Sequence, residues 1–263
     1  MHKIKPFLIS LVACISVFSC TRDKELNLKN TIYKLGYKTD SFSTGPLLNS
    51  GFVLKLHDTI PSLFLTAHHV VAGTGKDGEF YKWFELKEKV KNAWIWSMHD
   101  SSYQIALRDN LPIADAETLK LDLAAFYLPD DKIPYLIPSN RAAQPGDTVQ
   151  LFSKIIYNDV ATLLNPAVVI YAADSLMVYE LLHFNMARIM GGTSGSAIIN
   201  SQGDVVASSY AGFTIPNQLI KDDLATKFPL INKLTVSDGK SYGVAVPIPL
   251  IQTSIFQALK MNH

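Results

Sequence analysis

The chain has 263 residues, and its 24 basic and 23 acidic side chains give a formal net charge of only +1. No basic stripe is visible, which excludes the electrostatic footprint typical of nucleic-acid-binding proteins, so we expect no nucleic-acid partner. Apolar residues make up 48% of the chain, enough for a protein of this length to bury a substantial core.

The N-terminus reads MHKIKPFLISLVACISVFSC. Two lysines precede an apolar run over residues 7–18, which is typical of a secretory signal and too short for a comfortable membrane span. The ending Ser19-Cys20 resembles a bacterial lipoprotein signal, which is cleaved before a lipid-modified cysteine. The alternatives are an ordinary signal peptide and an uncleaved anchor. The lipoprotein interpretation predicts a signal peptide over residues 1–20 and acyl chains on Cys20 that hold the protein at a bacterial membrane.

Cleavage at that site would also remove Cys14, so Cys20 would be the one cysteine left and the mature protein would have no disulfide. Its stability must then come from packing. Residues 21–43 start polar, as TRDKELNLKN, and are predicted to be a tether leading into a folded domain over residues 44–263.

Short apolar or alternating segments recur along the domain with turn signals between them. Such spacing favours an all-β barrel or sandwich. The candidate strands, in chain order, are SGFVLKL, SLFLTA, NAWIWSM, YQIALR, LAAFYL, TVQLFSKIIY, AVVIYAA, LMVYELLHF, SAIIN, DVVASSY and YGVAVPI.

Two segments have helical spacing instead. Residues 78–91 are predicted to form a helix or a long insertion. Residues 248–260 carry apolar side chains spaced for a helix that packs back on the core. Between the strands, the Pro-, Asp- and Asn-rich stretch 128–143 is predicted to link two halves.

A candidate nucleophile lies in residues 191–197, GGTSGSA, between two apolar runs. A serine hydroxyl is a poor nucleophile unless a base takes its proton, so a catalytic Ser194 needs a histidine and an orienting carboxylate. His68 and His69 lie in the motif TAHHVV, which directly follows the segment SLFL. Asp122 lies in the apolar stretch LDLAAF, where a carboxylate is disfavoured unless something pairs with it, although a solvent-facing position at a strand start is the alternative.

These segments together resemble the trypsin-like (chymotrypsin-fold) serine proteases, and most of all the bacterial branch with the Deg-type proteases and the staphylococcal glutamyl endopeptidase. The resemblance covers roughly residues 43–255 and keeps the family's order of histidine, aspartate and serine. Six motifs carry it: residues 50–53 (SGFV), 66–71 (TAHHVV), 122–124 (DLA), 144–149 (QPGDTV), 192–196 (GTSGS) and 243–247 (GVAVP).

The resemblance implies an all-β fold of two six-stranded antiparallel β-barrels followed by a C-terminal helix. Barrel 1 would cover about residues 44–130 and barrel 2 about residues 143–255. Deg-type enzymes carry a peptide-binding PDZ module after the protease, and we expect none here.

The resemblance also assigns the chemistry. His69 would be the general base, Asp122 would orient it, and Ser194 would attack a carbonyl to form an acyl-enzyme. The backbone N–H groups of Gly192 and Ser194 would form the oxyanion hole. Ser196 is the weaker nucleophile candidate, at the start of the next strand. The implied activity is a serine endopeptidase acting on protein or peptide substrates, without cofactor or metal, in the bacterial cell envelope.

Several alternatives remain open at the level of sequence. The adjacent His68 could be the base instead, although we expect it to be exposed or packed at the rim. Asp100 and Asp109 are alternatives to Asp122, but neither lies in a D-L-A context.

The substrate is poorly determined by the sequence. The segment with Ser208, Ser209 and Tyr210 resembles the strand that pairs with substrate backbone, and it leaves small, apolar or acidic preferences open. The main rival function is an inactive protease-fold lipoprotein that binds peptides or envelope components, and a second rival is an esterase. An α/β-hydrolase is disfavoured because its histidine follows the serine in the chain.

Overall fold

A computed structural model describes most of the chain from residue 28 to residue 261. The described residues are 28, 30–38, 50–72, 81–90, 92–98, 104–118, 120–130, 132–157, 160–182, 192–214, 226, 234 and 240–261. The predicted lipoprotein signal with Cys20 lies outside them. Within the described part, no helix is both long enough and apolar enough to cross a membrane.

The first half is a curled antiparallel sheet of seven strands, in the spatial order β5-β4-β1-β2-β3-β7-β6. Its strands are β1 (Ile32–Lys38), β2 (Ser50–Leu54), β3 (Leu63–Thr66), β4 (Asn92–Ser97), β5 (Gln104–Ala106), β6 (Asn110–Leu111) and β7 (Ala124–Tyr127). Two short helices interrupt them, α1 (His68–Ala72) after β3 and α2 (Leu86–Lys89) before β4.

The second half is a closed barrel of six strands, in the order β10-β13-β12-β11-β8-β9. The strands are β8 (Thr148–Tyr157), β9 (Val160–Ala173), β10 (Leu176–Leu181), β11 (Ala197–Ile199), β12 (Val205–Thr214) and β13 (Ser241–Pro247). Helix α3 (Ile248–Met261) follows β13 directly and buries Ile251, Ile255 and Ala258. It contacts β12 and β13 of the barrel and β6 of the sheet, so it fastens the two halves together.

The predicted all-β fold with a C-terminal helix is therefore confirmed, and its second half closes as expected. The first half adds a seventh strand and curls without closing over the described residues, since β5 and β6 stand at its two edges. Of the helix predicted over residues 78–91, only Leu86–Lys89 is helical among the described residues; residues 78–80 and 91 lie outside them.

Strand β1 lies within the stretch predicted as a tether, and this part of the prediction is wrong. β1 pairs with β2 on one side and with β4 on the other. Its Leu35 and Tyr37 are buried, and its Gly36 packs so closely under Trp94 and Trp96 that a Cβ there would come within 2.8 Å of both rings. Residues 32–38 thus belong to the folded domain.

The segment between the halves is hydrogen-bonded to both. The N–H of Leu136 donates to the carbonyl of Val53 in β2 (2.8 Å). Farther along, the N–H of Ser139 donates to the carbonyl of Val205 in β12 (2.8 Å), and the Val205 N–H donates back to Ile137 (2.8 Å). This connection ties the C-terminal end of β2 in the sheet to the start of β12 in the barrel.

Candidate active site

Asp122 holds His69 through both of its carboxylate oxygens. Oδ1 accepts a hydrogen bond from the backbone N–H of His69 (3.0 Å), and Oδ2 lies 2.7 Å from the ring Nδ1. The aspartate side chain is 9% exposed while the imidazole is 33% exposed. A buried carboxylate at Nδ1 favours the tautomer with the proton on that atom, which leaves Nε2 as the acceptor.

The backbone of Asp122 is in an unusual conformation. Its φ is +24°, a region in which residues other than glycine are uncommon and strained. The residue follows a turn in which its N–H donates to the carbonyl of Thr118 (2.8 Å). Strain of this kind persists only where surrounding contacts determine the geometry, and the two hydrogen bonds to His69 are such contacts.

His68 is enclosed, although the side chain of the adjacent His69 is a third exposed. It is only 1% exposed, and its Nε2 has no hydrogen-bond partner among the described residues. Burial lowers the pKa of His68, and this effect outweighs the opposing influence of the carboxylates of Asp122 and Glu117. Of the two positions expected for His68, exposed or packed at the rim, the structure excludes the exposed one. Both histidines open the short helix α1, where adjacent side chains point in different directions.

The turn with Ser194 packs against the end of β3. Gly195, at φ +85°, leaves no room for a side chain: a Cβ there would lie 2.3 Å from the carbonyl oxygen of Ser50 and 2.4 Å from Oγ1 of Thr66. The Gly195 N–H donates to the carbonyl of Ser209 in β12 (2.7 Å). Since Thr66 comes three residues before His69, the predicted nucleophile and base belong to the same contact between sheet and barrel.

The hydroxyl of Ser194 donates to the backbone carbonyl of Tyr210 in β12 (3.1 Å). Tyr210 itself is 4% exposed, and burial together with the negative charge of Asp122 raises the pKa of its phenol. Tyr210 thus contacts the nucleophile through its backbone carbonyl, and its phenol is exposed to the negative charge of Asp122.

The other two candidate substrate contacts on β12, Ser208 and Ser209, are 3% and 0% exposed. The Ser209 hydroxyl shares a hydrogen bond with the hydroxyl of Tyr179 (2.8 Å), whose ring packs over Gly243. The Ser209 hydroxyl is thus committed to the barrel interior, and Ser208 is also buried. A contact of this strand with a ligand would therefore use backbone atoms.

Sequence reasoning missed two polar residues of the site. Ser50 and Thr66 lie in motifs that the sequence singles out, but no role is predicted for either. The Thr66 hydroxyl donates to the Ser50 carbonyl (2.7 Å), and the Ser50 hydroxyl donates to the Gly192 carbonyl (2.5 Å). In the sequence, only position points to these two residues: Ser50 directly precedes Gly51, and Thr66 comes three residues before His69. The contact between Ser50 and Gly192 joins residues 142 positions apart.

Asp109 and Ser196 do not join this cluster. Asp109 is 74% exposed and faces Lys87 at 3.8 Å. Ser196 is fully buried just before β11, and its hydroxyl has no hydrogen-bond partner among the described residues. Asp100 lies outside the described part. Over the described ranges, no three His, Cys, Asp or Glu side chains are grouped so that they could hold a metal ion.

Comparison with known proteins agrees with the fold. Residues 49–207 match the family model of the trypsin-like peptidase domain. No curated protein has a sequence that matches the chain significantly.

Solved protease structures are similar at low identity. The active form of the Rv3671c protease from M. tuberculosis has a TM-score of 0.54 and 13% identity, covering 88% of this chain and 82% of that chain. The serine endoprotease from Yersinia pestis has a TM-score of 0.53 and 15% identity, covering 90% of this chain and 66% of that chain. At such identities the similarity establishes the fold alone.

Proposed function

Because the chain belongs to the trypsin-like peptidase family, we propose that it is a serine endopeptidase with Ser194, His69 and Asp122 as its catalytic triad. The observation that carries the proposal is the pair of hydrogen bonds that the ring and backbone N–H groups of His69 donate to Asp122, beside the turn that presents Ser194. A carboxylate that fixes one imidazole nitrogen leaves the other available as a base.

In the proposed reaction, Nε2 of His69 accepts the hydroxyl proton while Oγ of Ser194 attacks the substrate carbonyl. The tetrahedral intermediate then collapses as His69 returns the proton to the leaving amine, and water hydrolyses the acyl-enzyme by the same steps. Asp122 stabilises the imidazolium that forms in each half of the reaction.

The Ser194 hydroxyl has to turn for this chemistry. Its hydrogen bond to the Tyr210 carbonyl uses the proton that His69 must take. Rotation about χ1 of a serine moves Oγ between staggered positions at little cost. We infer that this orientation of the Ser194 hydroxyl belongs to the resting protein. The N–H of a bound peptide can then replace the hydroxyl as the donor to the Tyr210 carbonyl.

The N–H groups of Gly192 and Ser194 are proposed as the oxyanion hole. Gly192 has φ +105°, a conformation open to glycine and rare for other residues, so the turn depends on glycine at this position. Donors held in advance at the place where negative charge develops typically contribute 10²–10³-fold to kcat.

The test is cleavage of a peptide library by the mature protein, with the Ser194→Ala variant as the matched control. The proposal predicts internal cleavage products with wild-type protein and none with the variant, and the cleaved bonds reveal the residue preferred before the scissile bond. Peptide binding without cleavage by either protein would favour the inactive, peptide-binding alternative. Cleavage of esters alone would favour an esterase.

Anchoring at a bacterial membrane through lipid on Cys20 is a separate proposal, supported by the N-terminal sequence. Two acyl signals suffice for stable attachment, whereas the polar stretch after Cys20 would not bind lipid by itself. Protein made in cells supplied with a labelled fatty acid should carry the label, and Cys20→Ala should carry none. A wild-type protein without the label would rule out the lipid anchor.

A further inference from the structure

Ser50 links the first sheet to the turn that carries the proposed nucleophile. It is the first residue of β2, is 4% exposed and pairs with Lys34 of β1. Its hydroxyl donates to the carbonyl of Gly192. A nearly buried serine whose hydroxyl bonds a backbone group 142 positions away restrains that group.

The peptide unit that Ser50 holds lies between the two proposed oxyanion donors. The Gly192 carbonyl belongs to the peptide that joins residues 192 and 193. The N–H of Gly192 belongs to the preceding peptide unit and the N–H of Ser194 to the following one. A change in the ψ angle of Gly192 turns the middle unit together with the unit after it, and so changes the angle between the two N–H groups. At glycine the backbone opposes such a rotation only weakly.

Ser50 is itself held in place. Its carbonyl accepts a hydrogen bond from the hydroxyl of Thr66 (2.7 Å), a fully buried residue at the end of β3. The same carbonyl is the atom that a side chain at Gly195 would meet first. A continuous set of contacts thus runs from the strand before His69, through Ser50, to both sides of the Ser194 turn.

We propose that Ser50 is a positioning residue that sets the orientation of the oxyanion donors, an inference that rests on the function proposed above. Ser50 does not touch the reacting atoms. It acts by holding the Gly192 carbonyl away from the hole, so that the N–H groups on either side converge on one point. Because an oxyanion exists only in the transition state and the tetrahedral intermediate, the hydroxyl raises kcat and leaves ground-state binding unchanged.

The main test is Ser50→Ala, which removes the hydroxyl and keeps the strand. We expect kcat to fall about 10- to 100-fold with KM within about twofold, because loss of a transition-state interaction lowers kcat and kcat/KM together. Ser50→Thr keeps the hydroxyl in a strand position that suits β-branched residues, and it should restore most of the activity. The pH dependence of kcat/KM should be unchanged, since the contacts of His69 and Asp122 are not altered.

A comparison of two ligands, one that forms a tetrahedral adduct and one that does not, distinguishes loss of positioning from general destabilisation of the protein. The dissociation constant of a peptidyl trifluoromethyl ketone, whose adduct places an oxyanion in the hole, should rise in Ser50→Ala by the factor by which kcat/KM falls. The dissociation constant of a cleaved product peptide should stay the same. Ser62→Ala is a matched control: Ser62 directly precedes β3 of the same sheet, is 1% exposed, and its hydroxyl has no hydrogen-bond partner among the described residues.

The outcomes are distinct. Unchanged kcat in Ser50→Ala, a rise in KM alone, or inhibitor affinities that do not follow kcat/KM would overturn the role of Ser50 and leave the protease assignment standing. A wild-type protein without Ser194-dependent cleavage would overturn both proposals. If Ser50→Ala does not fold, Ser50→Cys replaces it, and its weaker S–H donor should still lower kcat in the same direction; wild-type kcat in that variant would contradict the inference.

Discussion

At the residue scale, two adjacent histidines have environments that suit them to different roles. His69 is a third exposed and hydrogen-bonded to Asp122 at Nδ1, whereas His68 is enclosed and lacks such a partner at Nε2 within the described structure. An imidazole that is to exchange a proton with a substrate needs both access and an orienting group. His69 has both, and His68 contributes to the protein as a neutral, buried ring.

The burial of His68 predicts a pH dependence of stability. Its pKa in the folded state is lowered by burial, while the unfolded chain takes up a proton near the ordinary pKa of about 6.5. As the pH falls below that value, the unfolded state binds more protons than the folded state, so the free energy of unfolding decreases. The stability that depends on His68 being neutral is fully present above pH 6.5 and is lost as the pH falls toward the folded-state pKa.

Urea denaturation of wild type and His68→Leu at several pH values checks this prediction. Between pH 6.5 and 5 the wild type should lose stability more steeply than the variant, by at most about 1.4 kcal/mol per pH unit for one proton. The comparison at pH 8 gives the packing effect of the substitution alone. Parallel curves for the two proteins below pH 6.5 would show that His68 does not titrate differently on folding.

At the element scale, two glycines of the barrel serve different purposes. Gly146, in the turn before β8, has φ +93° and no atom within 4 Å of a hypothetical Cβ. This turn is also closed by Asp147, whose carboxylate accepts hydrogen bonds from the Gln144 N–H and from Arg141. Gly243, inside β13, faces the fully buried ring of Tyr179, and a Cβ there would lie 2.0 Å from the ring.

These two glycines should therefore respond differently to alanine. Gly146→Ala adds backbone strain alone and should cost about 1 kcal/mol of stability. Gly243→Ala forces Tyr179 or the strand to move and should cost about 1–3 kcal/mol or more.

In a Tyr179→Leu background the second effect should shrink, because contacting residues couple while distant ones add. Thermal or chemical unfolding of the four variants measures this. Equal costs at the two glycines, or strict additivity of Gly243→Ala with Tyr179→Leu, would contradict the packing described here.

At the scale of the whole molecule, the fold predicted from short motifs was largely right. Several motifs mark the end of a strand or a tight turn, where local chemistry requires particular residues, as at Gly192 and Gly195. Two others lie within the buried strands β2 and β13. The helix Ile248–Met261 was predictable because its apolar spacing is long and regular.

The failures of prediction have physical causes too. β1 alternates Tyr33, Leu35 and Tyr37 with Lys34 and Gly36. Because it follows a polar run, the sequence nevertheless predicts it to be part of the tether. The burial of His68 depends on which way a five-residue helix faces, which its sequence does not encode by periodicity. The Ser50–Gly192 contact joins two halves of the chain and exists only after both have folded.

The central claim is that Ser194 is a nucleophile activated by His69. Fluorophosphonate labelling followed by mass-spectrometric mapping tests it most directly, because the probe reacts with activated serines without needing the natural substrate. We predict one modified residue, Ser194, in the wild type and in His68→Ala, no label in Ser194→Ala, and labelling slowed by about 10³-fold or more in His69→Ala. Label on Ser196, label retained in Ser194→Ala, or wild-type labelling in His69→Ala would contradict the account.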